Sequence, residues 1–186
     1  MKTKFFVLFL LGLALTRCSS LSGGSGAGDK KLFSPVYYGV AVIQPAKGEK
    51  AAGVLKFSES FGTVKVEGQF EGLDKNSKHA IHIHEFGDCT AADFVSAGGH
   101  YNPAGHAHGA PDGEVRHIGD LGNLETNGKG QARLKMTVSE MSINGSINPV
   151  LGRSVVVHKN HDDFLSQPAG GAGPRIACGV IGASAK

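Results

Sequence analysis

Tryptophan is absent from this 186-residue chain, and phenylalanine and tyrosine together number only 13. An excess of charge of one sign is lacking too. The formal +3 is carried by Lys2, Lys4 and Arg17, in a stretch without acids, and beyond it 16 basic groups face 16 acidic ones. A body balanced in this way has no electrostatic footprint for nucleic acid or an anionic membrane. No apolar run reaches the ~20 residues of a membrane-spanning helix; the longest, residues 5–15, has eleven. The 28 glycines are about twice the usual ~7% share, but without a three-residue period they do not make collagen, and recurring Val/Ile/Leu runs exclude disorder. No internal repeat and no long amphipathic helix is visible. What remains is a single compact domain rich in turns.

The amino terminus reads as an address. Two lysines within residues 1–4 precede the eleven-residue apolar stretch, the pattern of a signal peptide. Leu15-Thr16-Arg17-Cys18 resembles a bacterial lipoprotein signal, in which the cysteine becomes the lipid-bearing first residue; Arg17 departs from it, since a small residue normally stands there. Eight of the ten residues 19–28 are Ser or Gly, a flexible tether. The expected division is a signal peptide over 1–17, a tether over 18–34 and a folded domain over 35–186. Cys18 is the candidate lipidation site, with ordinary cleavage nearby as the alternative.

The rest reads as strands. Residues 63–71 alternate: Val64, Val66 and Phe70 on one face, Lys65, Glu67, Gln69 and Glu71 on the other, the period of a half-buried strand. Further strands are expected over 37–44, 54–57, 79–84, 122–125, 132–138, 154–158 and 175–181. Asn127-Gly128 lies between two of them and predicts a hairpin turn. Eight short strands with frequent turns predict an all-β sandwich or barrel. Two connections, 85–120 and 159–174, are too long to be mere turns, and long irregular loops in compact domains are usually functional.

Histidine is what this chain has most unusually: nine residues, most of them in or beside the first loop. His82 and His84 are two apart on a strand, so both imidazoles leave the same face. His100, His108, His117 and Asp120 form a second group of three imidazoles and a carboxylate, a donor set that zinc accepts. His158 ends the apolar run Val155-Val156-Val157. These are seven candidate ligands, one short of two tetrahedral sites, and the deficit disappears if one histidine serves both metals as an imidazolate. His79, three before His82, falls on the opposite strand face and is expected at the surface. His106, two before His108, could compete with it as a ligand, and the His108-Gly109-Ala110-Pro111 pattern favours His108; His161 is expected in solvent.

Here the residues carry a resemblance. His82-Ile83-His84-Glu85-Phe86-Gly87-Asp88, Gly98-Gly99-His100-Tyr101-Asn102-Pro103, His108-Gly109-Ala110-Pro111, Arg116-His117-Ile118-Gly119-Asp120-Leu121-Gly122-Asn123, Val156-Val157-His158 and the run from Gly171 to Gly182 containing Pro174-Arg175-Ile176-Ala177-Cys178 resemble copper/zinc superoxide dismutase, and its exported bacterial form in particular. The resemblance implies an eight-stranded Greek-key barrel with a long metal-binding loop and a shorter second loop. It implies copper on His82, His84, His100 and His158, and zinc on His100, His108, His117 and Asp120, with His100 as the bridge. Arg175 would stand beside the copper and attract superoxide. Asp162 would link ligand histidines of the two sites.

The implied activity is dismutation of superoxide to oxygen and hydrogen peroxide, an antioxidant defence outside the cytoplasm, in the periplasm or on a lipid anchor. The catalytic residues would be Arg175 and His100. Zinc cannot supply the electron transfer that this requires; copper can. Cys89 and Cys178 are the only cysteines in the body, and an exported compartment permits them to pair; a metal role for the thiols is the alternative. Cys89 stands five residues after His84, as in bacterial members, whereas the bridging-histidine motif is closer to the animal form, so a homodimer is expected without a defined interface, with a monomer as the alternative. The second loop is short, and Lys159 is its only lysine. An exported metal store and a zinc hydrolase are the rival readings. The first would tolerate a missing ligand or a missing Arg175, and the second needs a base beside bound water, for which only Glu85 and Glu114 lie near in sequence.

Overall fold

The computed structural model describes residues 36–186; the expected signal peptide, the tether and Cys18 lie outside the described residues. Eight strands follow in order: β1 (Tyr38–Pro45), β2 (Ala52–Ser60), β3 (Thr63–Glu71), β4 (Lys78–His84), β5 (Asp120–Glu125), β6 (Ala132–Ser139), β7 (Ser154–His158) and β8 (Arg175–Ala183). One short 3-10 turn, Val95–Ala97, interrupts the long loop after β4. All pairings are antiparallel, in the order β5-β4-β7-β8-β1-β2-β3-β6. Three meandering strands, with the chain crossing between the two halves after β3, β5 and β6, make a nearly closed Greek-key barrel.

Alternation builds the barrel. Val64, Val66 and Phe70 of β3 are buried, and Leu55 and Phe57 of β2 join them. From the other half come Ile81, Ile83, Leu124, Val155, Val157 and Ile181, all essentially without exposure. At ~1.5–3 kcal/mol for each fully buried aliphatic or aromatic side chain, this interior is the main source of stability.

The Asn127-Gly128 turn is real, with Gly130 N–H donating to the Asn127 carbonyl. It does not make a hairpin, however. The strands it joins, β5 and β6, are the two ends of the sheet order and are not hydrogen-bonded to each other. The turn instead packs on residues 73–77, through Leu73 N–H to the Gly130 carbonyl and Thr126 N–H to the Ser77 carbonyl. A turn signal reports local backbone preference; which strand lies beside which is settled by burial of the sheet faces.

The long loop after β4 is anchored along its length. It folds back so that Tyr101 N–H donates to the Ile83 carbonyl, Gly119 N–H to the Tyr101 carbonyl and Ile83 N–H to the Gly119 carbonyl. This lays His100 opposite His84 as an isolated bridge. Gly119 permits the approach: a Cβ there would stand 2.3 Å from the Ile83 carbonyl oxygen. Arg153 braces the fold-back, its guanidinium 3.4 Å over the Tyr101 ring and donating to the Glu85 carbonyl at 2.7 Å. A disulfide joins Cys89 of this loop to Cys178 of β8, 89 residues apart.

Candidate metal centre

Both faces of β4 are buried. Ile81 and Ile83 enter the barrel, while His82 and His84 leave its outer side under the two long loops and are as inaccessible as the core. Register irregularities fall beside the histidines: one between Ala80 and His82 against β5, another between Val157 and His158 against β8. Bulges at such places re-aim a side chain.

Two groups of side chains converge. His82, His84, His100 and His158 offer ring nitrogens all within 4.8 Å of one another, and so do the ligand atoms of His100, His108, His117 and Asp120. His100 belongs to both groups. The structure thus brings together all seven candidate ligands.

Hydrogen bonds fix which nitrogen faces inward in four of the rings, those of His82, His84, His108 and His158. A carbonyl or carboxylate only accepts, so the ring nitrogen facing it carries the proton and the other keeps its lone pair. His84 Nδ1–H donates to the Gly98 carbonyl at 3.0 Å and His158 Nδ1–H to the Gly173 carbonyl at 3.2 Å. Both Nε2 atoms are left as lone pairs, 3.3 Å apart. Asp162 does the same for two more rings, accepting from His82 Nε2 at 2.8 Å and from His108 Nε2 at 2.9 Å. It therefore ties one ring of the first group to one ring of the second.

The inward atoms then lack partners. Among the described residues, four buried side-chain atoms have no hydrogen bond: His79 Nε2, which belongs to neither cluster, and His82 Nδ1, His100 Nε2 and His108 Nδ1, which face into them; such atoms are costly unless something else occupies the space. In the second group His117 Nδ1 stands 3.3 Å from His100 Nδ1 and 3.3 Å from Asp120 Oδ1. Two ligand atoms each ~2.0–2.1 Å from one tetrahedral ion stand ~3.3–3.4 Å apart. The donor sets, their spacing and their orphaned lone pairs fit two metal ions, geometrically consistent with a copper and a zinc site.

The electrostatics favour ligand forms. Burial, reinforced by the crowding of neighbouring imidazoles, holds His82 and His84 well below the ordinary imidazole pKa. Burial also lowers His117, and takes His158 down to about 4. For Asp120, burial acts to raise the pKa, but hydrogen bonds from His100 and the His117 N–H outweigh it and keep the carboxyl ionised below the usual carboxylate range. Neutral imidazoles and a carboxylate are the forms that bind metal.

Arg175, half-buried at the start of β8, donates to the Phe94 carbonyl and, at 2.7 Å, to the Gly98 carbonyl. Gly98 thus receives Arg175 and His84 together, and the guanidinium charge is felt at His84 and His158. Lys159, the one lysine of the second loop, is paired with Asp74 at 3.1 Å. His106 and His161 are exposed.

His79 is not at the surface. It is fully buried, with Nδ1 3.0 Å from the His158 carbonyl oxygen. The strand period puts it opposite His82, as expected, but that face is the barrel interior shared with Ile81 and Ile83, whereas the face of His82 and His84 lies under the loops. Sequence reasoning also missed two amide side chains. Asn123 pairs with both backbone groups of Asp162, donating to its carbonyl at 2.9 Å and accepting from its N–H at 2.7 Å. Gln167 does likewise for His108, at 3.0 and 2.8 Å.

A Greek-key barrel carrying two histidine clusters that share one imidazole has the geometry of a binuclear metal site. Residues 51–181 match the family described as copper/zinc superoxide dismutase. The extracellular superoxide dismutase [Cu-Zn] of Caenorhabditis elegans is 44% identical over 136 residues, 70% of this chain and 60% of that protein's length. The superoxide dismutase [Cu-Zn] of Claviceps purpurea is 45% identical over 155 residues, 78% of this chain and 99% of the relative. The crystal structure of the clock protein EA4 superposes with a TM-score of 0.74 at 33% identity, covering 82% of this chain and 98% of the other. The chain belongs to the copper/zinc superoxide dismutase family, an oxidoreductase of the copper/zinc type.

Proposed function

We propose that the protein converts superoxide to oxygen and hydrogen peroxide outside the cytoplasm. The observation that carries the reading is the pair of buried clusters sharing His100, with lone pairs turned into each. His82, His84, His100 and His158 hold copper in this reading, and His100, His108, His117 and Asp120 hold zinc. Copper supplies one-electron redox chemistry, which zinc lacks. The chain's own residues do the rest. Arg175 draws the superoxide anion in and orients it, for which a fixed cation in a cleft is suited. His100 holds and passes a proton at Nε2, the atom without a hydrogen-bond partner among the described residues. Asp162 fixes the tautomers of His82 and His108.

Export is supported by the apolar stretch 5–15 and by the Cys89–Cys178 disulfide, which persists in oxidising compartments. The proposed organisation is a signal peptide over 1–17, a tether over 18–34 with Cys18 as lipid anchor, and the catalytic domain over 35–186. The five-residue step from His84 to Cys89 supports kinship with the exported bacterial form, in the periplasm or anchored to a membrane. A homodimer is the proposed assembly.

The test is metal content together with superoxide removal, on protein made in an oxidising compartment and supplied with both ions. One copper and one zinc per chain with cyanide-sensitive activity support the enzyme; zinc alone, or both metals without activity, would turn the reading to a metal store. Within this test, Arg175→Ala is expected to retain both metals, lose roughly tenfold or more in rate, and show a flattened salt dependence, since focusing by a cleft charge raises on-rates 10–10³-fold. Unchanged kinetics would remove Arg175 from the mechanism.

A further inference from the structure

We propose that Gln167 is a positioning residue for the second cluster: it sets the main chain of His108 so that the imidazole reaches its ligand position. The inference rests on reading that cluster as the zinc site. His108 sits in irregular chain, where residues 103–107 are exposed and no strand neighbour holds its backbone. Gln167 replaces that neighbour. Its Oε1 accepts from His108 N–H at 2.8 Å and its Nε2 donates to the His108 carbonyl at 3.0 Å, the two-bond pairing that one residue of a strand receives from another.

The short second loop is built to present this amide. Asp162 and Asp163 divide the work. Asp162 turns inward to His82 and His108. Asp163 turns outward, its Oδ1 accepting from the N–H groups of Leu165 and Ser166 at 2.9 and 2.8 Å and its Oδ2 from the Ser166 hydroxyl at 2.6 Å. Asp163 N–H donates to the Gly170 carbonyl, and Gly170 N–H to the Ser166 carbonyl. The loop is thus closed on itself directly before and after Gln167. His108 is consequently gripped twice by the same loop, at its ring by Asp162 and at its backbone by Gln167, while Nδ1 alone is left facing Asp120 at 3.0 Å. His82, His84 and His158 sit on strands and receive no such support from Gln167. The proposal therefore predicts an effect confined to one cluster.

The experiment compares the full chain with Gln167→Met, which keeps the length and removes both hydrogen bonds, and Gln167→Glu, which keeps the acceptor for His108 N–H and loses the donor. Zinc affinity is read by chelator competition, copper affinity separately, and cobalt(II) is used as a coloured probe of the second cluster. Supporting partners of metal ligands are worth ~10–100-fold in affinity. Gln167→Met is expected to fall in that range for zinc, to shift the cobalt absorption bands and to leave copper affinity within about threefold of the parent; Gln167→Glu should lie between. Zinc affinity and cobalt bands unchanged in both variants, or equal losses of zinc and copper, would overturn the proposal. Failure of the parent chain to take up zinc or cobalt, or uptake that survives His117→Ala, would instead refute the zinc-site reading itself. If Gln167→Met does not fold, Gln167→Glu decides, its cobalt bands and zinc affinity either shifting apart from copper or not.

Discussion

Gly170→Ala is expected to weaken zinc binding by ~100-fold or more, the upper end of what a supporting partner contributes, although residue 170 offers no ligand. A Cβ at this position would stand 2.0 Å from Asp162 Oδ1 and 2.6 Å from His108 Nε2. Both atoms belong to one hydrogen bond, so the methyl group would be driven into it. Relief by moving Asp162 is blocked. Its carboxylate also holds His82, and its backbone is pinned at both ends by Asn123. Relief by moving Gly170 is opposed by the bonds that close its loop, and the backbone there has φ +66, which costs a non-glycine residue ~1–2 kcal/mol before any clash. The contact that gives way is the one between Asp162 and His108. His108 then loses the partner that keeps its proton on Nε2, and the Nδ1 lone pair is no longer assured. Zinc affinity by chelator competition and copper affinity on the same samples provide the check. A variant that holds zinc at parental affinity would show that Asp162 does not control the His108 tautomer.

The parts of the site that sequence makes visible are those whose chemistry lies in side-chain type and in period. His82 and His84 share a face because a strand repeats every two residues, and their separation from Ile81 and Ile83 follows directly. The second group is visible because three imidazoles and a carboxylate, gathered in one glycine-rich stretch, are together a complete tetrahedral donor set. β3 and β7 are read to the residue, Thr63–Glu71 and Ser154–His158, since each is bounded by turn residues. His79 shows where period fails. It says which residues share a face but not which face is wet, and with loops covering the outer side of β4 neither face is. The Asn127-Gly128 turn fails in a related way, because a local bend does not specify the partner of the strand that follows.

Asn123 and Gln167 were hidden for a different reason. They act on backbone groups distant in sequence, and a backbone N–H looks the same at every position. Even the motif containing Asn123 gives no hint that its amide matches the main chain of Asp162, 39 residues away. Gly170 is hidden too, since only the folded loop shows what a side chain there would strike. The histidines can be named from sequence, whereas their orientation depends on carbonyls and amides brought in by the loops.

The disulfide reaches the same site from the opposite side. Replacing Cys89 and Cys178 together by serine is expected to cost about 4–5 kcal/mol, the chain-entropy value for closing a loop of some 90 residues, or a fall in Tm of ~10–20 °C for a domain of this size. Activity should fall by more than the change in folded fraction explains. Cys178 packs with Phe94, Ala97 and Val156, and Cys89 lies against them. Phe94 and Gly98 supply the two carbonyls that hold Arg175, and Gly98 also fixes the His84 tautomer. Releasing Cys89 therefore loosens the segment that positions both Arg175 and a ligand of the first cluster, while Asn123 and Gln167, which support Asp162 and His108, are not among the residues packed around the disulfide. At a temperature where the double variant is fully folded, copper affinity and rate should both decline and zinc affinity should hold. Thermal unfolding paired with separate copper and zinc competition measures this. Equal weakening of both metals would mean that the bond stabilises the barrel as a whole, and an unchanged rate would mean that residues 94–98 keep their place without it.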